Sequence, residues 1–140
     1  MHIENLTFEK EANLPAILLM SHGPICNAML ESAAMLSEDL EEIYALPFTD
    51  DMDLVEYTDK AEEIYNNAPK GSIVLFDLFG GTPCIQMTMR YGDIGLHGLS
   101  GLNLPMLLDA VSFRRMMRGK ELIEALKEST RKSIVSADIL

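Results

Sequence analysis

Along most of this 140-residue chain the spacing of hydrophobic positions switches between the period of a strand and the period of a helix. A short, continuous apolar run from Ala16 to Met20 ends at Ser21-His22-Gly23 and reads as a buried strand. Ile25, Met29, Ala33 and Leu36 then recur at helical spacing and predict an amphipathic helix over 25–36. Ile43 to Phe48 reads as a second strand, and Thr49-Asp50-Asp51 supplies an N-cap and early negative charge for a helix reaching about Asn67. Beyond the turn Ala68-Pro69-Lys70-Gly71, the segment Ser72 to Phe76 is continuously apolar from Ile73 on, as a central parallel strand covered on both faces would be. Thr82 as cap and Pro83 in the first turn open a helix to about Tyr91. Ile94 to Leu99 is a further short strand, a helix starts near Leu104, another runs from Glu121 to about Lys132, and Ser133 to Leu140 resembles a terminal strand. Arg114, Arg115, Arg118 and Lys120 cluster between the last two helices and read as a solvated face, with a local partner contact as the alternative.

This alternation predicts an α/β fold: a doubly wound, mainly parallel sheet with helices on both faces and right-handed crossovers. Residues 1–14 are polar and aperiodic, so they are expected to form an appended arm, with 15–140 as one domain. At 48% hydrophobic, the chain can bury a core without staples. The net charge of −11 argues against nucleic acid as a partner and for proteins with basic faces. No apolar stretch approaches the ~20 residues of a membrane span, and Met1-His2-Ile3-Glu4-Asn5 lacks the character of a secretory signal, which together predict a cytoplasmic protein without membrane insertion. Two cysteines, Cys26 and Cys84, make no disulfide framework and read as small buried side chains. His22 and Cys26 have metal-like i, i+4 spacing, but too few further soft donors accompany them, so no metal is expected.

Candidate chemistry begins at His22, set where the first strand ends. In open α/β sheets the C-terminal edge of the strands is where ligands bind. A lone histidine there is also compatible with one satisfied backbone bond. Asp77 follows the apolar strand 72–76, so if the first and third strands are neighbours, both residues leave the sheet at one edge. A carboxylate at one imidazole nitrogen fixes the tautomer and leaves the other nitrogen as a nucleophile. Gly80, Gly81 and Thr82 add a tight turn, helix N-terminal amides and a hydroxyl, a set of donors suited to a phosphoryl group. Each of these features has a structural explanation when taken singly: a strand-end carboxylate capping amides, and ordinary turn glycines. No Gly-x-Gly-x-x-Gly follows the first strand and no Gly-x-Ser-x-Gly elbow surrounds Ser21, which disfavours a dinucleotide enzyme and a serine hydrolase.

Ser21-His22-Gly23, Phe76-Asp77-Leu78-Phe79-Gly80-Gly81-Thr82-Pro83 and Gly101-Leu102-Asn103-Leu104-Pro105-Met106 occur in the order and spacing of the mannose-type IIA family of the sugar phosphotransferase system, which the chain resembles from about residue 15 to 140. The resemblance implies that His22 is phosphorylated, that Asp77 is its hydrogen-bonding partner, that Thr82 lines the pocket and that 101–106 forms a neighbouring loop and helix start. It also implies phosphate received from HPr and passed to a IIB protein or domain, without metal or nucleotide cofactor. It further implies a homodimer exchanging a C-terminal strand, here Ser133 to Leu140. A regulatory IIA-like protein that reads out phosphotransferase-system state without its own transporter is the alternative, with the dihydroxyacetone kinase phosphotransfer subunit a more distant relative. Pro24, Cys26 and Cys84 depart from the family's usual residues near the pocket.

Overall fold

In a computed structural model, residues 14–139 are described. The expected arm over residues 1–14 therefore falls almost wholly outside them. Four strands, β1 (Ile17–His22), β2 (Ile43–Phe48), β3 (Ile73–Phe76) and β4 (Gly98–Ser100), form one sheet in the order β2-β1-β3-β4. Every pairing is parallel. Five helices accompany them: α1 (Ile25–Ala34), α2 (Leu54–Asn67), α3 (Thr82–Tyr91), α4 (Leu104–Phe113) and α5 (Gly119–Lys132).

The alternation of side chains along β1 builds both layers. Ile17 and Leu19 point to one face, where α1, α4 and α5 bring Cys26, Ala33, Leu107, Ala110, Leu122 and Leu126. Ala16, Leu18 and Met20 point to the other, where α2 and α3 bring Tyr57, Ala61, Cys84, Met87 and Tyr91. A strand buried on both faces has no polar positions to spare, which is why 16–20 is continuously apolar. Pro47, which has no N–H to donate, is confined to the edge strand β2. Both cysteines are buried and unpaired, as expected from their setting.

Several boundaries differ from expectation. Asp53, not Thr49, caps α2 by accepting from the Glu56 amide at 2.9 Å, so the helix begins later. α1 stops at Ala34, because Met35 and Leu36 are exposed and give no further burial. Residues 92–94 make a single 3₁₀ turn and Gly95 adopts φ +93°, which consumes the first half of the expected fourth strand and delays β4 to Gly98. Among the described residues the expected terminal strand does not form: Ser133 to Ser136 lack regular structure and Ala137–Ile139 is a 3₁₀ turn. A strand needs an edge to pair with, and the segment, with Ile134 82% exposed, does not reach one.

The largest correction concerns the basic cluster, since Arg114 is no solvated side chain. It is 1% exposed and donates to the carbonyls of Pro15, Asp39 and Glu41 at 3.2, 3.3 and 2.7 Å, fastening the end of α4 to the entry of β1 and to the loop before β2. Arg115 pairs with Asp39 and Glu41 and Arg118 donates to the Lys70 carbonyl at 2.9 Å, yet both stay exposed, as does Lys120, so the solvated description holds for these three. Losing a charged donor leaves three carbonyls without their partner, so Arg114→Ala is expected to cost about 3 kcal/mol in urea unfolding while Lys120→Ala stays within about 0.5 kcal/mol. A wild-type midpoint for Arg114→Ala would show that the buried guanidinium is dispensable.

Candidate functional site

The chain runs outward in both directions from the centre of the sheet: β2 lies on one side of β1 and β3 on the other. The crevice at such a reversal opens between the C-terminal ends of β1 and β3. Met20 pairs with Phe76, so the residues that follow, Ser21-His22 and Asp77, emerge side by side.

One carboxylate oxygen organises the pair. Asp77 Oδ2 accepts from the backbone amide of His22 at 3.0 Å and lies 3.1 Å from His22 Nδ1. Since a carboxylate only accepts, Nδ1 carries the proton in this contact and Nε2 of the neutral ring keeps its lone pair. Asp77 is 12% exposed and the His22 side chain 42%, so the carboxylate works from partial shelter while the ring reaches solvent. The backbone is anchored as well: the Asp77 amide donates to the Met20 carbonyl at 3.2 Å and the Gly23 amide to the Phe48 carbonyl at 2.7 Å.

Gly80, Gly81 and Thr82 close the third side, with different roles than their sequence suggests. Gly80 has φ +76°, which favours glycine, and open space around its α-carbon. Gly81 has ordinary extended backbone, φ −72° and ψ 167°, and is the cap residue of α3. Its small size matters instead: a methyl built there would lie 2.5 Å from His22 Cε1 and 3.2 Å from Nε2. The turn therefore packs against the exposed side of the imidazole, and a glycine leaves room beside Nε2. Thr82 is the first residue of α3 rather than its cap, and Pro83 follows it. The first amide seen to join the helix ladder is that of Ile85, donating to Gly81 at 2.9 Å, so the N-terminal end of α3 presents its dipole toward the imidazole. Asn103 caps α4 by accepting from the Met106 amide at 2.9 Å, and the Leu102 amide donates to the Phe76 carbonyl at 2.9 Å, which fixes the 101–106 loop against the end of β3.

Tyr57 was not legible as part of this arrangement, because on α2 it has the spacing of a core residue. Its hydroxyl donates to the Leu46 carbonyl at 2.5 Å and its ring meets Phe48 at 5.0 Å, bracing the end of β2 whose carbonyl holds Gly23. Burial, then the nearby Cys26 and Asp77, push its hydroxyl well above the usual tyrosine range, so it stays protonated. Burial likewise pushes the Cys26 thiol up, an inert setting for the departure at that position. Among the described residues, no three His, Cys, Asp or Glu side chains converge as a metal site would require. No helix among them is long and apolar enough to cross a membrane.

Residues 16–127 match the family model described as the fructose IIA component of the PTS system, EIIA-man. The chain belongs to this family. It is 28% identical over 121 residues to the PTS system fructose-specific EIIA component of Bacillus subtilis (strain 168), covering 84% of this chain and 83% of that protein. The crystal structure of EIIA from Streptococcus agalactiae superposes with a TM-score of 0.79 at 27% identity, covering 89% of this chain and 98% of that one. The mannose/sorbose-specific IIA subunit from Enterococcus faecalis does so at 0.76 and 29%, covering 89% and 95%. As a IIA component, the chain is a phosphotransfer protein of the sugar phosphotransferase system, and its parallel α/β architecture is the one these relatives share.

The two glycines separate by experiment. Gly81→Ala is expected to leave stability nearly unchanged but to displace the His22 ring, seen as altered His22 ring resonances in NMR spectra. Gly80→Ala should cost about 1 kcal/mol from backbone strain alone and leave those resonances in place. Unmoved His22 resonances in Gly81→Ala would show that the turn does not bear on the imidazole.

Proposed function

We propose that His22 Nε2 receives a phosphoryl group from HPr and passes it to a IIB protein or domain, acting in the cytoplasm for sugar uptake and phosphorylation. The observation that carries this reading is the double hold of Asp77 on His22. It turns Nδ1 inward and leaves the Nε2 lone pair beside Gly81 and the start of α3. In the transfer, Nε2 attacks phosphorus, the nitrogen–phosphorus bond of the donor histidine breaks, and its electron pair returns to the donor ring. The His22 ring then bears positive charge, which Asp77 offsets, while the Gly80–Gly81 turn, the Thr82 hydroxyl and the first amides of α3 face the phosphoryl oxygens. The donor is already a high-energy phosphohistidine, so the step calls for alignment of two rings rather than for metal or nucleotide. Asp50, Asp51, Asp53 and Glu56, all exposed after β2, give the same sheet edge an acidic border suited to a basic partner.

Incubation with enzyme I, HPr and phosphoenolpyruvate, followed by mass spectrometry under non-acidic conditions, is expected to map acid-labile phosphate to His22 and to find none in His22→Ala. Label on His97, or label persisting in His22→Ala, would overturn the assignment. Asp77→Asn should slow transfer by about two to three orders of magnitude, corresponding to ~2 to 4 kcal/mol, because an amide cannot offset the charged ring. Stopped-flow transfer at the wild-type rate would remove Asp77 from the mechanism.

The same reading includes a homodimer. β4 is an edge strand, and beside it lies a hollow of about 440 Å³ lined by Phe76, Phe79, Leu96, Leu99 and Ile123 among others. The terminal segment that finds no edge in its own chain, with Ile134 and Val135 exposed, has the apolar character to pair there in a second copy. Light scattering is expected to show a dimer for the full chain and a monomer for a chain ending at Lys132. A full-length monomer would refute the dimer, and a truncated form that remains dimeric would refute the exchange.

A further inference from the structure

We propose that Ser21 is a positioning residue that sets the orientation of the His22 imidazole; this rests on the reading of His22 as the phosphorylated residue. Ser21 is fully buried, yet its hydroxyl is engaged on both sides. Ser21 Oγ accepts from the Cys26 amide at 3.1 Å and donates to the Gly23 carbonyl at 2.9 Å. The first bond caps α1, whose own cap position is occupied by Pro24 and offers no side-chain acceptor. A helix cap alone would be a structural role. The second bond is different in kind, because it holds the carbonyl of Gly23, the residue that follows His22.

His22 is thereby bracketed. On its N-terminal side, its amide donates to Asp77 Oδ2; on its C-terminal side, the Gly23 amide donates to the Phe48 carbonyl and the Gly23 carbonyl accepts from Ser21. Gly23 sits at φ +67°, a conformation whose position on the glycine surface is set by such restraints and not by a side chain of its own. Without the hydroxyl, the Gly23 carbonyl and the Cys26 amide lose a buried partner and the turn is free to rotate at Gly23. The Cα–Cβ direction of His22 turns with it. Asp77 can then keep the backbone amide while losing the ring, and a free imidazole favours the tautomer protonated on Nε2, which has no lone pair there to attack phosphorus.

The test uses the full chain as Ser21→Ala, Ser21→Cys, which nearly preserves volume with a weaker hydrogen-bonding group, and Ser21→Thr, which restores the hydroxyl at a strand position that tolerates β-branching. In ¹⁵N spectra of the ring, the wild type and Ser21→Thr are expected to show the Nδ1-protonated tautomer, and the alanine and cysteine variants a mixture with Nε2–H. In transfer assays with phosphorylated HPr, kcat should fall about tenfold to a hundredfold in those two variants with KM for HPr little changed, as expected for a misplaced reacting atom, and Ser21→Thr should recover most of the loss. Should Ser21→Ala fail to fold, Ser21→Cys decides the matter alone. A wild-type tautomer together with wild-type kcat in Ser21→Cys would overturn the proposal, as would a rise in KM alone. The tautomer readout needs no phosphoryl donor: a wild-type chain that accepted no phosphate would sink the functional reading, and the spectra would still decide the role of Ser21.

Discussion

A single carboxylate oxygen spanning two strands is the constraint on which the rest of this site depends. Asp77 Oδ2 holds the backbone of His22 at 3.0 Å and its ring at 3.1 Å, so one group ties the strand end and the imidazole together. That group must itself be immobile for the arrangement to be useful, and its immobility comes from the sheet. β3 is buried on both faces and in parallel register with β1 from Ile17–Ile73 to Met20–Phe76, leaving Asp77 no freedom along the strand. A slip of one residue would turn Asp77 to the opposite face and leave His22 without its partner.

The order β2-β1-β3-β4 makes this contact possible. Residues 55 apart in sequence meet because the chain reverses its direction of growth at β1, opening a crevice where two loops diverge and neither covers the other. Apart from the first turn of α3, the helix layers border the site only through the rigidity they give the sheet. α3 begins within this crevice, so the dipole of one core helix is directed at the place where the proposed transfer would put phosphoryl charge. The same helix buries Cys84 and Met87 against β1 and β3, so the turn at Gly80–Gly81 is anchored at its far side by hydrophobic packing.

Much of this was legible in the chain. Continuous apolar character at 16–20 and 73–76 marks central parallel strands, and the placement of His22 and Asp77 at their ends follows from that alone. What stayed hidden depended on distance in space. Gly81 reads as a turn residue, and only the approach of His22 Cε1 shows that its missing side chain is what matters. Arg114 reads as surface because arginine seldom has three carbonyls converging on it, and the carbonyls in question belong to residues 73 to 99 positions away. Ser133 to Leu140 reads as a strand because its composition is right, but strand formation is a property of two partners and one chain supplies only one.

The central claim is that Asp77 commits Nδ1 of His22 to a hydrogen bond and so assigns the chemistry to Nε2. Phosphorus-coupled ¹⁵N NMR of the phosphorylated protein, with ring-labelled histidine, tests this most directly. The account requires the nitrogen–phosphorus coupling to appear on Nε2 of His22, with Nδ1 still protonated. Coupling on Nδ1 would contradict it, because the phosphoryl group would then occupy the position that Asp77 holds.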